Sequence, residues 1–264
     1  MQITSRDNSL LRQARAVRDG KVDELIFIEG LRLCEEALRS QLTIEAVIVS
    51  EELLRKERVA GVIRELSQAT KRLGSVSEKL LESVSYTKTP QGIVVLAQRP
   101  EASEARLNAQ LGASPLLVVM HQINNPVNVG AILRTSEAAG AAGVITTKNT
   151  SDPFSPKSLR GAMGSAFRLP MWSGPSYTET IDWCRQHKIA TICADVDATT
   201  SYTAIDWTIP SALILGPEST GLTTEEMELA DNRVSIPMKG MAESLNVAVA
   251  AGILLFEAAR QRLK

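Results

Sequence analysis

Residues 116–147 read LLVVMHQINNPVNVGAILRTSEAAGAAGVITT. Five consecutive apolar residues, a loop rich in asparagine and proline, a run of small and apolar residues carrying Arg134, and a second apolar run describe a strand, a loop, a helix near 128–139 and another strand. A helix between two strands is a crossover, and crossovers join parallel neighbours. The alternation continues with a helix near 176–187, the strand IATICAD, the strand ALILG, a short helix from Thr223, the strand RVSIPM and a last helix opening at Ser244. An α/β domain with a mainly parallel sheet is therefore expected here. Such sheets bind ligands beyond the carboxyl ends of their strands, which directs attention to the loops after Met120, Leu215 and Ile236.

Upstream, RPEASEARLNAQLGAS (residues 99–114) is a polar stretch of small residues between two apolar runs and reads as a linker, dividing the chain into residues 1–106 and 107–264. The first part alternates LIFIEG, IEAVIVS and QGIVVLA with helical segments at 31–40, 58–70 and 77–84, the pattern of a small α/β sandwich. Near the start, Arg6, Arg12, Arg15, Arg18 and Lys21 oppose only Asp7 and Asp19. Arg12, Arg15 and Lys21 fall near one face of a helix, which either meets phosphate or is an ordinary solvated face.

Composition narrows the class. With 44% hydrophobic and 22% charged residues, 16 glycines and 11 prolines in 264, the chain is neither disordered, collagen-like nor membrane-embedded. Its 29 basic and 30 acidic side chains nearly cancel, so a site for a polyanion must be local. Cys34, Cys184 and Cys193 have no CxxC spacing, and His121 and His187 are too sparse for zinc, so no metal is expected. Reduced thiols, no apolar signal segment at the N-terminus, and a longest apolar run (Val247 to Phe256) of half the length needed to span a bilayer indicate the cytoplasm and no membrane.

Dinucleotide, P-loop, nucleophile-elbow and HExxH motifs are absent, which argues against a hydrolase or P-loop mechanism. Three polar loops remain. In the first, Asn128 is either a helix cap or a ligand group, and Arg134 stands on a helix of small residues, where a guanidinium calls for an anionic partner. The second, LILGPESTGL, sets Glu218 between Gly216 and Gly221, where it either meets a ligand or favours the positive end of the following helix. The third, SIPMKGMAESLNVAVAAGILLFEAARQR, has Ser244 as expected N-cap of a helix apolar on almost every side. Asn246 in its first turn either binds something or bonds to a neighbouring loop.

NPVNVGAILRTSEAAG, LILGPESTGL and IPMKGMAESLNVAVAAGILLFE resemble, in order and spacing, the three signature motifs of the SpoU (TrmH-like) RNA ribose 2'-O-methyltransferases of the SPOUT superfamily. The match spans residues 116–262, and IFIEGLRLCEEAL and TPQGIVVLA are similar to that family's substrate-binding domain, itself akin to ribosomal protein L30e. The resemblance implies a deep trefoil knot, S-adenosylmethionine as cofactor, RNA as substrate with ribosomal RNA ahead of tRNA, and a homodimer with the C-terminal helix in its interface. It places Arg134, Asn128, Glu218, Ser244 and Asn246 at the catalytic end. It also implies that Leu215, Gly216, Ile236, Met238 and Leu245, with Glu218, Ser244 and Asn246, hold the cofactor. Two places depart from the family: Asn125 stands where an acidic residue often precedes the proline, and Pro217 and Ser219 flank Glu218 where the family usually has serine or asparagine before it and glycine after it.

Methyl transfer to a ribose hydroxyl needs an alkoxide-like oxygen to be tolerated, and Arg134 is the best candidate to stabilise that charge and grip a neighbouring phosphate. Arg6, Arg12, Arg15, Lys157, Arg160 and Arg168 are expected to add RNA phosphate contacts. The rival readings are a tRNA ribose methyltransferase, a base methyltransferase and a non-catalytic RNA-binding protein on the same fold. The polar set from Asn128 to Asn246 argues against the last, since a scaffold has no need of it.

Overall fold

The computed structural model describes residues 1–263, whose strands form two separate sheets. The first contains β1 (Gln2–Ile3), β2 (Leu25–Glu29), β3 (Ile44–Ser50), β4 (Leu73–Val76) and β5 (Ile93–Gln98) in the order β1-β4-β3-β5-β2. It is mixed: β4 runs parallel to β1 and β3, while β5 is antiparallel to β2 and β3. Two of these strands carry no clear signal in the sequence. β1 has two residues and β4 reads LGSV, where glycine and serine dilute the β-branched pattern.

This sheet belongs to a unit made of Met1–Pro100 together with Pro153–Arg168. The second segment adds the helix Pro156–Ala162, which packs on the edge strand β2. It contributes buried Phe154, Leu159 and Phe167. The Arg99 guanidinium lies 4.7 Å from the Phe154 ring centroid, and Arg168 donates to Glu36 at 2.5 Å. Where the sequence reading draws one cut at 106/107, the contacts draw it at Pro100 and return residues 153–168 to the first unit. Sequence continuity cannot reveal such an excursion, because the helix Pro156–Ala162 packs on a strand more than 100 positions away.

The second unit, Glu101–Asp152 and the chain from Leu169 onward, holds β6 (Leu116–Met120), β7 (Gly143–Thr146), β8 (Met171–Ser173), β9 (Ala190–Ala194), β10 (Ser211–Leu215) and β11 (Asn232–Val234). Their order is β11-β9-β10-β6-β7-β8, with every neighbour parallel. β6 and β10 are buried along their whole length, as central parallel strands covered on both faces must be. The chain runs outward from β6 through β7 to β8 on one side and returns on the other, so the order reverses between β6 and β10. The strand expected over RVSIPM stops at Val234: Pro237 has no amide hydrogen to extend a ladder, and beyond Val234 only an isolated bridge joins Ser235 to Ser201.

Among the helices of this unit, two pack against each other beside the sheet. Pro126–Ala138 opens with proline at its first position and packs against the C-terminal helix Val247–Arg262, with Gly252 facing Thr135. In the C-terminal helix, Ala251, Leu254, Leu255 and Ala258 form one buried stripe, whereas Val249 and Phe256 are 52% and 53% exposed. Its last turn is clamped: Arg262 donates to the carbonyls of Ser114 at 2.6 Å and Ile209 at 2.7 Å, at the amino ends of β6 and β10. No helix among the described residues is long and apolar enough to cross a membrane.

Candidate active site

Leu215 and Met120 are register partners at the carboxyl ends of β10 and β6, and the His121 amide donates to the Leu215 carbonyl at 2.9 Å. The loops that leave these two strands therefore start side by side at the point where strand order reverses, the place open α/β sheets favour for a ligand. The third motif joins them through the turn that opens the C-terminal helix.

Asn128 sits at the third position of the helix Pro126–Ala138 and is 8% exposed. It does not cap that helix. The cap is Asn125, whose side chain accepts from the Val127 amide at 3.0 Å. Asparagine and aspartate serve equally as N-caps, so the Asn125 departure leaves this function intact. Asn128 is thereby released to link the motifs: its Nδ2 donates to Glu218 Oε1 at 2.6 Å, and its Oδ1 accepts from Asn246 Nδ2 at 3.3 Å. Asn246, not Ser244, caps the C-terminal helix, its Oδ1 accepting from the amides of Ala248 at 2.9 Å and Val249 at 3.4 Å. The helix accordingly starts at Val247, and Ser244 is an exposed loop residue.

The direction of this chain of bonds is dictated at both ends. A helix amino terminus can only donate, so Asn246 must present its oxygen there and its nitrogen to Asn128. A carboxylate can only accept, so Asn128 must turn its nitrogen to Glu218. Polarised amides in series reinforce one another, and Asn128 is the shared member.

Arg134 is exposed, two turns along its helix, and makes no hydrogen bond or ion pair within the described residues. The anionic partner expected for it is not found among the described residues. Glu218 is exposed as well, Ile236 and Leu245 are half-buried, and Met238 is 36% exposed. Gly216 is needed for close packing: a Cβ there would lie 2.9 Å from the Leu222 amide nitrogen. The one left-handed residue of the loop is Gly221, at φ +66°, and Ser219 does not share that conformation, so serine at that position introduces no backbone strain.

His121 carries no signal in the sequence, where two sparse histidines point to no metal site. It is 2% exposed, with Nδ1 2.9 Å from Thr147 Oγ1 and Nε2 3.0 Å from Glu226 Oε1. The Tyr177 ring packs edge-on at 4.8 Å and its hydroxyl donates to the Glu226 carbonyl at 2.9 Å. Burial lowers the His121 pKa, and the Glu226 carboxylate only partly offsets this. Burial also holds the Tyr177 phenol well above its ordinary range.

The basic residues expected to meet RNA are not equivalent. Arg6, Arg12, Lys157 and Arg160 are exposed. Arg15 is half-buried and donates to the Arg6 carbonyl at 2.9 Å, and Arg168 is committed to Glu36 and Ser40. Lys21 lies beyond the end of its helix, Ser9–Arg18, so it does not extend the expected basic face. In the same unit Tyr86 is 44% exposed on a loop whose backbone is pinned by buried Glu29, which accepts from the amides of Tyr86 at 2.9 Å and Thr87 at 3.1 Å. An exposed aromatic on a pinned loop leaves no periodic signal in the sequence.

The model of the SpoU rRNA methylase family matches residues 115–256, and that of the MRM3-like substrate binding domain matches residues 10–95. The chain is 33% identical over 199 residues to a 23S rRNA (uridine(2479)-2'-O)-methyltransferase of Streptomyces viridochromogenes, covering 74% of this chain and 69% of that protein. It is 31% identical to the 23S rRNA (guanosine(2553)-2'-O)-methyltransferase RlmP of Bacillus subtilis, covering 87% and 86%. Among solved structures, an AdoMet-bound rRNA methyltransferase from Sinorhizobium meliloti superposes with a TM-score of 0.86 at 28% identity, over 100% of this chain and 99% of that one.

Proposed function

The chain belongs to the SpoU rRNA methylase family, and on that basis we propose that it transfers a methyl group from S-adenosylmethionine to a ribose 2'-hydroxyl of ribosomal RNA. The observation that carries this reading is the bond chain from Glu218 through Asn128 to Asn246, which joins the three motif loops at the reversal of strand order. The side chains fit the cofactor. Ile236, Met238 and Leu245 offer accessible apolar surface for an adenine or a thioether, and the asparagines and Glu218 offer polar atoms for ribose and amino acid groups. Leu215 and Gly216 contribute backbone. When bound, S-adenosylmethionine supplies an electrophilic methyl group.

Arg134 has the chemistry to hold a phosphate of the target nucleotide and to stabilise negative charge developing on O2'. Its high pKa makes it a poor proton acceptor. Asn128 fixes Glu218 and Asn246, Glu218 is positioned to orient a water or hydroxyl, and Ser244 supplies a hydroxyl from the loop before the helix. In the first unit Arg6, Arg12, Lys157 and Arg160 supply phosphate contacts, Arg15 and Arg168 acting through the backbone and carboxylate they already hold. Tyr86 offers a face on which an unpaired base can stack.

The reading extends to a cytoplasmic homodimer with the family's knotted C-terminal segment. The exposed Val249 and Phe256 on the C-terminal helix support the dimer, since apolar residues at this spacing on one helix favour burial against a partner. The test is incubation with ribosomal RNA and labelled S-adenosylmethionine, followed by mass-spectrometric mapping of the modified nucleoside. Label recovered in a base, or none in any RNA, would sink the proposal.

A further inference from the structure

The loop between β10 and the helix Thr224–Leu229 carries Gly216 and Glu218, and one residue outside the loop holds both of its ends. The His121 backbone amide binds the Leu215 carbonyl before the loop, and the His121 ring binds Glu226 after it. Glu226 is also the third residue of the helix that closes the loop. Its Oε2 accepts from the Thr223 amide at 2.9 Å, while Thr223 Oγ1 accepts from the Glu226 amide at 3.2 Å. A reciprocal cap of this kind fixes the first turn of the helix, so a force on Glu226 is a force on the loop exit. The ring is anchored on its other side by Thr147, which follows β7, so the ends of β6, β7 and β10 meet at one imidazole.

The proton positions follow from the partners. The carboxylate only accepts, so Nε2 carries the hydrogen toward Glu226. In the neutral ring Nδ1 then accepts from the Thr147 hydroxyl, whose oxygen in turn faces the Gln122 amide at 3.4 Å. Every polar atom of the buried ring is satisfied without a charge. No group in this cluster reaches the Asn128 bond chain directly, so its influence on chemistry passes through loop shape.

We propose that His121, as the neutral Nε2–H tautomer, is a positioning residue that clasps both ends of the loop carrying Gly216 and Glu218 and thereby sets the affinity for S-adenosylmethionine while leaving the transfer step itself little changed. This rests on the methyltransferase reading given above.

The test measures S-adenosylmethionine affinity by calorimetry and the single-turnover rate at saturating cofactor, for the wild type, His121→Phe, Glu226→Leu and Glu226→Gln. His121→Phe keeps the ring packing and removes both hydrogen bonds, so affinity should fall about tenfold or more while the saturated rate stays within about threefold. Glu226→Leu should match it. Glu226→Gln should stay within about threefold of wild-type affinity. The amide oxygen can retain the Thr223 contact and its nitrogen can donate to an imidazole in the opposite tautomer, which then donates to Thr147. If His121→Phe does not fold, Thr223→Ala beside Glu226→Leu decides, because it weakens the cap and leaves the His121–Glu226 bond in place, and should keep affinity within about threefold of wild type. Wild type and His121→Phe binding the cofactor equally well would overturn the inference alone, as would Glu226→Gln failing as badly as Glu226→Leu. A wild-type chain that binds no S-adenosylmethionine would overturn both this inference and the functional reading beneath it.

Discussion

Asn128 Nδ2 lies 2.6 Å from Glu218 Oε1, a bond between side chains 90 residues apart that ties the first polar loop to the second. With Asn246 donating to the other end of the same amide, the three loops share one buried hub. A hub of this kind is sensitive to polarity as well as to size. Its replacement tests whether the three loops act together.

Asn128→Asp should therefore be worse than a loss of size would suggest. Two carboxylates would then face each other where Asn128 and Glu218 now bond, and one of them must take up a proton for the contact to survive. The variant's kcat/KM should fall by about 10²-fold at neutral pH and recover partly as pH is lowered toward 5, whereas Asn128→Ala should fall without that recovery. A pH profile of the two variants checks the difference.

Arg134→Ala should leave S-adenosylmethionine affinity nearly unchanged and lower turnover by about 10²-fold, the scale of losing one preorganised electrostatic contact. Arg134 is exposed and makes no hydrogen bond or ion pair among the described residues, so its removal should cost little stability. Arg134→Lys should rescue little, since an ammonium cannot reproduce the planar fork. Calorimetry beside single-turnover methylation separates the two effects.

Trp172, Trp183 and Trp207 all lie in the second unit, so tryptophan fluorescence follows that unit alone. Arg262→Ala should destabilise it by about 2 kcal/mol, because charge-assisted bonds to the Ser114 and Ile209 carbonyls and to Ser211 Oγ are lost at once. Denaturant unfolding read at those tryptophans measures the change.

His121 makes the same unit sensitive to acid. Its pKa is lowered in the fold by burial, so above the ordinary histidine value near 6.5 both folded and unfolded chains are neutral and its contribution is constant. As pH falls below that value the unfolded chain binds the proton first, and stability is lost until pH passes the lowered folded value. The fluorescence-monitored midpoint should fall between pH 7 and 5 by more in the wild type than in His121→Phe.

The first unit should not be recoverable as residues 1–100. Phe154, Leu159 and Phe167 are buried in it but come from residues 153–168. The shorter fragment should expose the apolar surface they cover and bind hydrophobic dye, while a version with residues 153–168 fused to it should not. Circular dichroism melts of both fragments provide the check.

Sequence alone determined the alternation of strands and helices from Leu116 onward, the parallel sense of the sheet, and the position of the three polar loops that follow its strands, because each depends on apolar period, turn residues and chain connectivity within a few positions. It also identified the family. It misassigned one cap, since Ser244 looks suited to open the last helix and Asn246 does it, and it left Asn128 open between a cap and a ligand group where Asn125 is the cap. Tertiary structure decided what Asn128 binds, which helix packs on β2, and which two segments His121 holds together. These choices depend on the register that sets Leu215 beside Met120, and on burial that leaves a polar group no partner but the one the fold brings to it. Partners 90, 105 and 118 positions apart leave no mark in local pattern, since the same residues in the same order could satisfy their hydrogen bonds with water until the sheet closes.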